Sequence, residues 1–248
     1  MSAVLPAASA HRREHVFFTV MALLMAAVVF AGFARTFYLR AWFPEAQAMA
    51  APEPVFYVHG VLFTLWPVLL AAQALLVGGG RTDLHRRLGV IGAPVAAALV
   101  VFGIYVSLVA ANRPGGFVGV PVPPLQFLIV PLSVILIFGL LVGLALYRRR
   151  DPQTHKRLML LGTASMIDAA AARLPLPTLG PEGPPLGFVA PALFALALMG
   201  WDLASRGRLH PASLWGGLLI LLAVPLRMAL ADTPAWLAVA GWLTGLVA

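Results

Sequence analysis

Histidine is the side chain in this sequence best equipped to hold a metal or a haem iron, and three of the six histidines stand in a repeated setting. The phrase His85-Arg86-Arg87-Leu88-Gly89-Val90-Ile91-Gly92 returns as His155-Lys156-Arg157-Leu158-Met159-Leu160-Leu161-Gly162, and a fainter copy begins at His210. In each copy a histidine leaves a basic loop, opens an apolar run and is followed seven residues later by glycine: Gly92, Gly162 and Gly217. Seven residues are about two helical turns, so histidine and glycine share a face. His85, His155 and His210 are therefore candidate metal or haem ligands at one level of a bundle. With no cysteine, thiolate zinc sites, iron–sulfur clusters and disulfides are excluded, and a metal must use nitrogen, thioether or oxygen ligands. A purely structural reading competes. Histidines and arginines at helix starts cap the helices and snorkel to headgroups, and the glycines permit close packing.

A second constellation is acidic and basic. At about 1.5 Å of rise per residue, Asp168 lies roughly 16 Å from the interface that carries the histidines, Arg227 roughly 22 Å, Arg173 roughly 24 Å, and His59 and Arg35 roughly 28 Å. Asp168 thus falls deep in a bilayer core about 30 Å thick, where an ionised carboxylate needs a partner. Arg227 is the expected one. Arg173, five residues along the same helix, points to another side. Together Arg35, His59, Asp168, Arg173 and Arg227 form a candidate ligand pocket with excess positive charge, suited to a carboxylate, a phosphate or lipid headgroup, a quinone carbonyl, or haem propionates. The structural alternative is a buried Asp168–Arg227 pair with Arg35 and Arg173 reaching the outer headgroups.

The elements that position these residues follow from composition. Hydrophobic residues make up 61% of the chain and charged ones 10%, and the apolar residues fall in runs near twenty long, which defines a polytopic membrane protein. Seven spans are expected, at 16–33, 55–77, 88–111, 125–146, 158–174, 186–201 and 212–231, as an all-α transmembrane bundle of one helix plus three repeated hairpins. The whole chain, 1–248, reads as one membrane domain: a cytoplasmic leader at 1–15, the bundle at 16–231, and an interfacial or groove-covering segment at 234–248 with Trp236 and Trp242. The first run reads as a retained helix and not as a cleaved signal. Prolines 67, 94, 131, 191 and 225 fall inside spans and predict bends. The Pro- and Gly-rich stretches 44–54, 113–124 and 175–185 suit lids.

Of the 17 Lys and Arg residues, twelve lie on the side of residues 12–13, 81–87, 148–157 and 206–208, and five on the other. That asymmetry predicts a cytoplasmic amino terminus and an external carboxyl terminus in a bacterial inner membrane. The net charge of +8 sits between apolar spans, which points to anionic lipid and excludes nucleic acid as partner.

Several segments are similar to known proteins. Leu84-His-Arg-Arg-Leu-Gly89, the His155 copy, Ala172-Arg-Leu-Pro175 and the His210 copy resemble a widespread group of bacterial multi-pass membrane proteins, from about Arg35 to the carboxyl end. That resemblance implies a shared fold and supplies no activity. A more distant likeness is to b-type dihaem transmembrane cytochromes, in which haem ligands pair across neighbouring helices at two depths. It implies haem b between His85 and His155, with His59 as an element of a second site opposite Gln126.

Sharper chemistries find little support. No glycine-rich phosphate loop follows a strand pattern. His11-Arg-Arg-Glu-His15 matches a zinc-hydrolase spacing but lies in the leader without a third ligand. Ser107, Ser133 and Ser165 lack a neighbouring His–Asp arrangement. The sequence therefore points to a non-enzymatic ligand-binding, transport or accessory subunit, taking a small anionic or lipid-like ligand or a membrane-protein partner, with a haem-bearing electron carrier as the alternative.

Overall fold

Apolar runs in a bilayer must satisfy every backbone polar group internally, and helices do so segment by segment. The computed structural model describes residues 7–48, 52–177 and 186–247, and all regular structure among them is helical. In chain order the helices are α1 (Ala7–Phe33), α2 (Pro44–Ala48), α3 (Pro54–Gly78), α4 (Thr82–Asn112), α5 (Pro124–Phe127), α6 (Ile129–Tyr147), α7 (Pro152–Ala164), α8 (Asp168–Ala171), α9 (Ala190–Arg206), α10 (Pro211–Leu230) and α11 (Pro234–Gly245). Six helical stretches among the described residues are long and apolar enough to cross a membrane: His11–Tyr38, Pro54–Gly78, Thr82–Asn112, Pro124–Tyr147, Gly187–Arg206 and Pro211–Leu230. The chain is a multi-pass, all-helical membrane protein. Much of the 175–185 stretch expected to form a lid, residues 178–185, lies outside the described residues, as do 1–6 of the leader.

The segment expected as a continuous fifth span folds differently. Helix α7 stops at Ala164 after 13 residues, about 20 Å of rise, and α8 restarts at Asp168. The sequence Gly162-Thr-Ala-Ser-Met-Ile-Asp168 contains no proline, so the break has another cause. The Ser165 hydroxyl turns back onto the Gly162 carbonyl at 2.7 Å, and Met166 N and Ile167 N bond three residues back, to Thr163 O and Ala164 O. The ladder tightens and the helix ends. Such a break survives because α7 is surrounded by protein: it packs against α1, α6, α9 and α10, and Leu158, Leu160, Leu161 and Ala164 are all buried. Enclosed backbone does not meet lipid.

Sequence neighbours are also spatial neighbours. Helices α3 and α4, α6 and α7, and α9 and α10 pack as pairs, while α1 lies against α3, α7 and α8. One core gathers Met25, Leu161, Ala164 and Leu198 around α7, and a second joins Trp66, Leu99, Ile135 and Phe138 between α3, α4 and α6. The indole of Trp66 ties the two by donating to Thr163 Oγ1 at 3.0 Å. Two repeat glycines mark close approaches. A Cβ on Gly162 would stand 2.7 Å from the Val142 side chain, and one on Gly217 2.9 Å from Met199 Sδ. Gly92 is looser, its nearest neighbour being Leu69 at 3.5 Å.

Of the five prolines placed inside spans, only Pro67, Pro94 and Pro225 are interior to helices. Pro131 and Pro191 fall in the first turns of α6 and α9, where the missing N–H has no intrahelical partner to lose. The carboxyl-terminal α11, about 18 Å long by its 12 residues, is too short to cross the bilayer. It packs on α4 and α5, with Trp236 Nε1 donating to Leu125 O at 2.8 Å and Asn112 Nδ2 to Thr244 O at 2.8 Å. It covers a flank of the bundle.

Candidate functional site

At the basic end of the bundle, two of the three repeated histidines meet. His85 and His155 each occupy the fourth position of their helix, α4 and α7, and their rings lie edge-on with centroids 6.3 Å apart and planes at 82°. The His155 ring is held by its Nδ1, which donates to the Ala145 carbonyl of α6 at 2.9 Å, leaving Nε2 with its lone pair. His85 Nδ1 is buried without a hydrogen-bond partner. The helix starts that present the two rings are well made: Pro152 opens α7, and Asp151 caps it by accepting from Gln153 N at 3.0 Å and Thr154 N at 3.3 Å.

His210 does not join them. It is the N-cap of α10, its Nδ1 accepting from Ala212 N at 3.1 Å, and Pro211 follows it where the other two copies have a basic residue. Burial and the neighbouring Arg157 and Arg206 hold its pKa below the usual histidine range, which keeps the cap neutral. Among the described residues no group of three or more His, Cys, Asp or Glu is arranged to hold a metal. The zinc-hydrolase pattern in the leader also dissolves: His15 Nε2 bonds His11 Nε2 at 2.8 Å, and Glu14 is engaged by Lys156 Nζ at 2.7 Å.

The deepest charges at this end escaped the sequence reading. Arg157 and Asp202 are both fully buried and pair across α7 and α9, with Nη2 at 2.5 Å and Nε at 3.1 Å from Oδ1. Arg157 also donates Nη1 to Gln153 O at 3.0 Å and Gln153 Oε1 at 2.6 Å, and Asp202 Oδ2 accepts from His210 N at 3.1 Å. Arg157 reads in sequence as one more topology cation. The available signal was a charge followed by an uninterrupted apolar run on one side and Trp201 on the other. Because α7 is central, Arg157 in its second turn is enclosed although Pro152 at the helix start is exposed.

Toward the opposite end, Asp168 opens α8 and pairs with Arg227 of α10, Oδ2 to Nη1 at 3.5 Å, with both side chains nearly buried. Arg227 Nε also donates to Ser133 Oγ of α6 at 2.6 Å, and Asp168 Oδ1 accepts from Ala169 N at 2.7 Å. Arg173 donates to Ala169 O at 2.5 Å and lies over the Phe33 ring, near enough for its charge to act on Asp168 and His59. His59 stacks against Phe63, ring centroids 4.0 Å apart, with Nδ1 buried and unbonded. Nearby Tyr38 bonds Thr64 Oγ1 at 2.6 Å. Arg35 leaves this group altogether: it sits in the π-helical turn Ala34–Tyr38 and pairs on the exposed surface with Glu45 of α2.

No protein-family profile matches this chain, and no curated protein or solved structure matches it either.

Proposed function

We propose that this integral membrane protein holds one haem b between His85 and His155 and serves as an electron carrier or haem-bearing accessory subunit. The observation that carries the reading is the 6.3 Å separation of two rings that are not in hydrogen-bond contact. Rings spaced in this way could hold a metal centre between them. Donor chemistry agrees: the carbonyl on His155 Nδ1 fixes the tautomer that frees Nε2, as ligating histidines require, and His85 keeps an unpartnered ring nitrogen. Among the described residues no third His, Cys, Asp or Glu joins the pair, so His85 and His155 are the residues that would hold the haem. When bound, haem supplies one-electron redox chemistry. The chain's part is to fix both imidazoles, and Arg86 beside His85 offers a cation to a propionate.

The proposed topology has seven crossings, with the broken α7–α8 segment as the fifth and the pairs α3–α4, α6–α7 and α9–α10 as three repeated hairpins. Its amino terminus is cytoplasmic in a bacterial inner membrane. The seating of His85 and His155 at the same helix position in two successive pairs supports the repeat. A periplasmic reporter fused after Arg150 is expected to be inactive, and activity there would reverse the orientation.

A second reading rests on the charge imbalance around Asp168, where one carboxylate faces Arg227 and the charge of Arg173. There the protein would bind a small carboxylate, phosphate or lipid-like ligand without catalysis, with His59 at the margin. Absorption spectra of the purified protein, oxidised and dithionite-reduced, separate the two. A Soret band that sharpens on reduction, is lost in His85→Ala and His155→Ala and persists in His210→Ala is expected; a featureless spectrum from haem-replete cells refutes the haem reading and leaves the anion pocket.

A further inference from the structure

A surface groove of about 610 Å³ runs between the start of α1 and the end of α9, within the range of about 300–1,000 Å³ usual for small-ligand sites. Its floor is apolar: Val16 and Met21 from α1, and Phe17 stacked on Trp201 of α9 with ring centroids 4.4 Å apart and planes only 9° from parallel. Its rim is cationic, formed by the exposed Arg12 and Arg13. The nearest carboxylate in sequence does not neutralise them. Glu14 is held by Lys156 and, at 3.5 Å, by Gln153, and among the described residues neither arginine forms an ion pair.

The order along the helix decides what fits. At about 1.5 Å per residue the two guanidinium-bearing positions stand roughly 5–10 Å beyond the apolar floor along the axis of α1. Two adjacent forked cations above an apolar trough match a phosphodiester above an acyl chain. A neutral lipid would leave the cations without a counter-charge, and a free anion would leave the stacked aromatic wall unused. We propose that this groove is a specific site for one anionic phospholipid of the surrounding leaflet, its phosphate on Arg12 and Arg13 and one acyl chain along Phe17 and Trp201. The lipid would bridge α1 to α9, two helices that both pack on α7 and α8.

The test uses the purified full chain in mixed micelles containing equal amounts of phosphatidylglycerol and phosphatidylcholine, with retained lipid read by native mass spectrometry. At about 1 kcal/mol per basic residue near an anionic headgroup, two cations correspond to a preference of roughly 30-fold for phosphatidylglycerol. That preference should vanish in Arg12→Gln/Arg13→Gln, whose exposed positions leave the fold intact, and survive in the control Arg149→Gln/Arg150→Gln, equally exposed and equally charged. Trp201→Ala should lower retention of both lipids together. No preference in the natural protein, a preference that persists without Arg12 and Arg13, or one lost equally in the control overturns the proposal. Displacement of the lipid by millimolar inorganic phosphate would also overturn it, because the site would then read the anion alone.

Discussion

Asp202→Asn should be the most damaging isosteric change in the protein. Asp202 accepts from Arg157 through both carboxylate oxygens and from His210 N, so it joins α7, α9 and the start of α10 at a point with no solvent access. Asparagine keeps the shape but offers one acceptor oxygen, and its amide donors would face an N–H of either Arg157 or His210. The guanidinium stays fully buried, left with at most the single asparagine oxygen besides Gln153 O and Oε1. Removing one partner of a buried pair costs about 3–5 kcal/mol. At about 2–4 °C per kcal/mol for chains of 150–250 residues, the apparent Tm should fall by about 6–20 °C. Thermal unfolding in detergent, followed by monodispersity on size exclusion, reads the shift. The double variant Arg157→Met/Asp202→Leu, which removes both charges and fills the space, should recover most of it. A single variant within 2 °C of the natural protein would show that the pair is hydrated and that α7 is not enclosed.

Asp168→Asn should cost less, about 2 kcal/mol, because Arg227 makes one 3.5 Å contact to the carboxylate and keeps Ser133 as acceptor; a loss larger than that of Asp202→Asn on the same melting assay would contradict the ranking. Gly32→Ala drives a Cβ to 2.0 Å from the Ala170 carbonyl oxygen where α1 crosses α8, and should destabilise by about 1–3 kcal/mol, whereas Gly143→Ala meets nothing within 4 Å and should be neutral or stabilising. Asp151→Ala removes the cap of α7 and should cost about 1 kcal/mol at neutral pH. The hydrogen bond from Thr154 holds the Asp151 carboxyl below its ordinary pKa, so its stabilisation is present above the unfolded value and lost as pH falls through the folded one. Melting curves between pH 5 and pH 3 should therefore converge for Asp151→Ala and the natural chain, and parallel curves would refute the assignment.

Much of the architecture is legible in composition and local pattern. Apolar runs near twenty residues specify helices because a bilayer leaves backbone groups no other partner, and α3, α4, α6 and α10 lie where the runs do. Asp168 with Arg227 was also legible, since depth along a helix is arithmetic and a buried carboxylate requires a cation. The break at Ser165 was not, because serine in a membrane helix commonly bonds back to a carbonyl without ending it, and only enclosure by four neighbours makes the interruption tolerable. Nor was the departure of Arg35, which pairs with Glu45 of α2 on the exposed surface, a contact between elements that helix depth alone does not encode.

Local sequence carries the class of the protein, the length and order of most of its helices and the placing of His85 and His155 at helix starts, because these depend on interactions between residues within a few turns of one another and on contact with lipid. Tertiary structure decided which of the repeated histidines meet and which becomes a cap, and which charges are buried. His85 and His155 face each other because α4 and α7 both pack on α6, and Arg157 is enclosed because α7 lies at the centre. Burial is a property of neighbours far apart in the chain, and no local spacing encodes it.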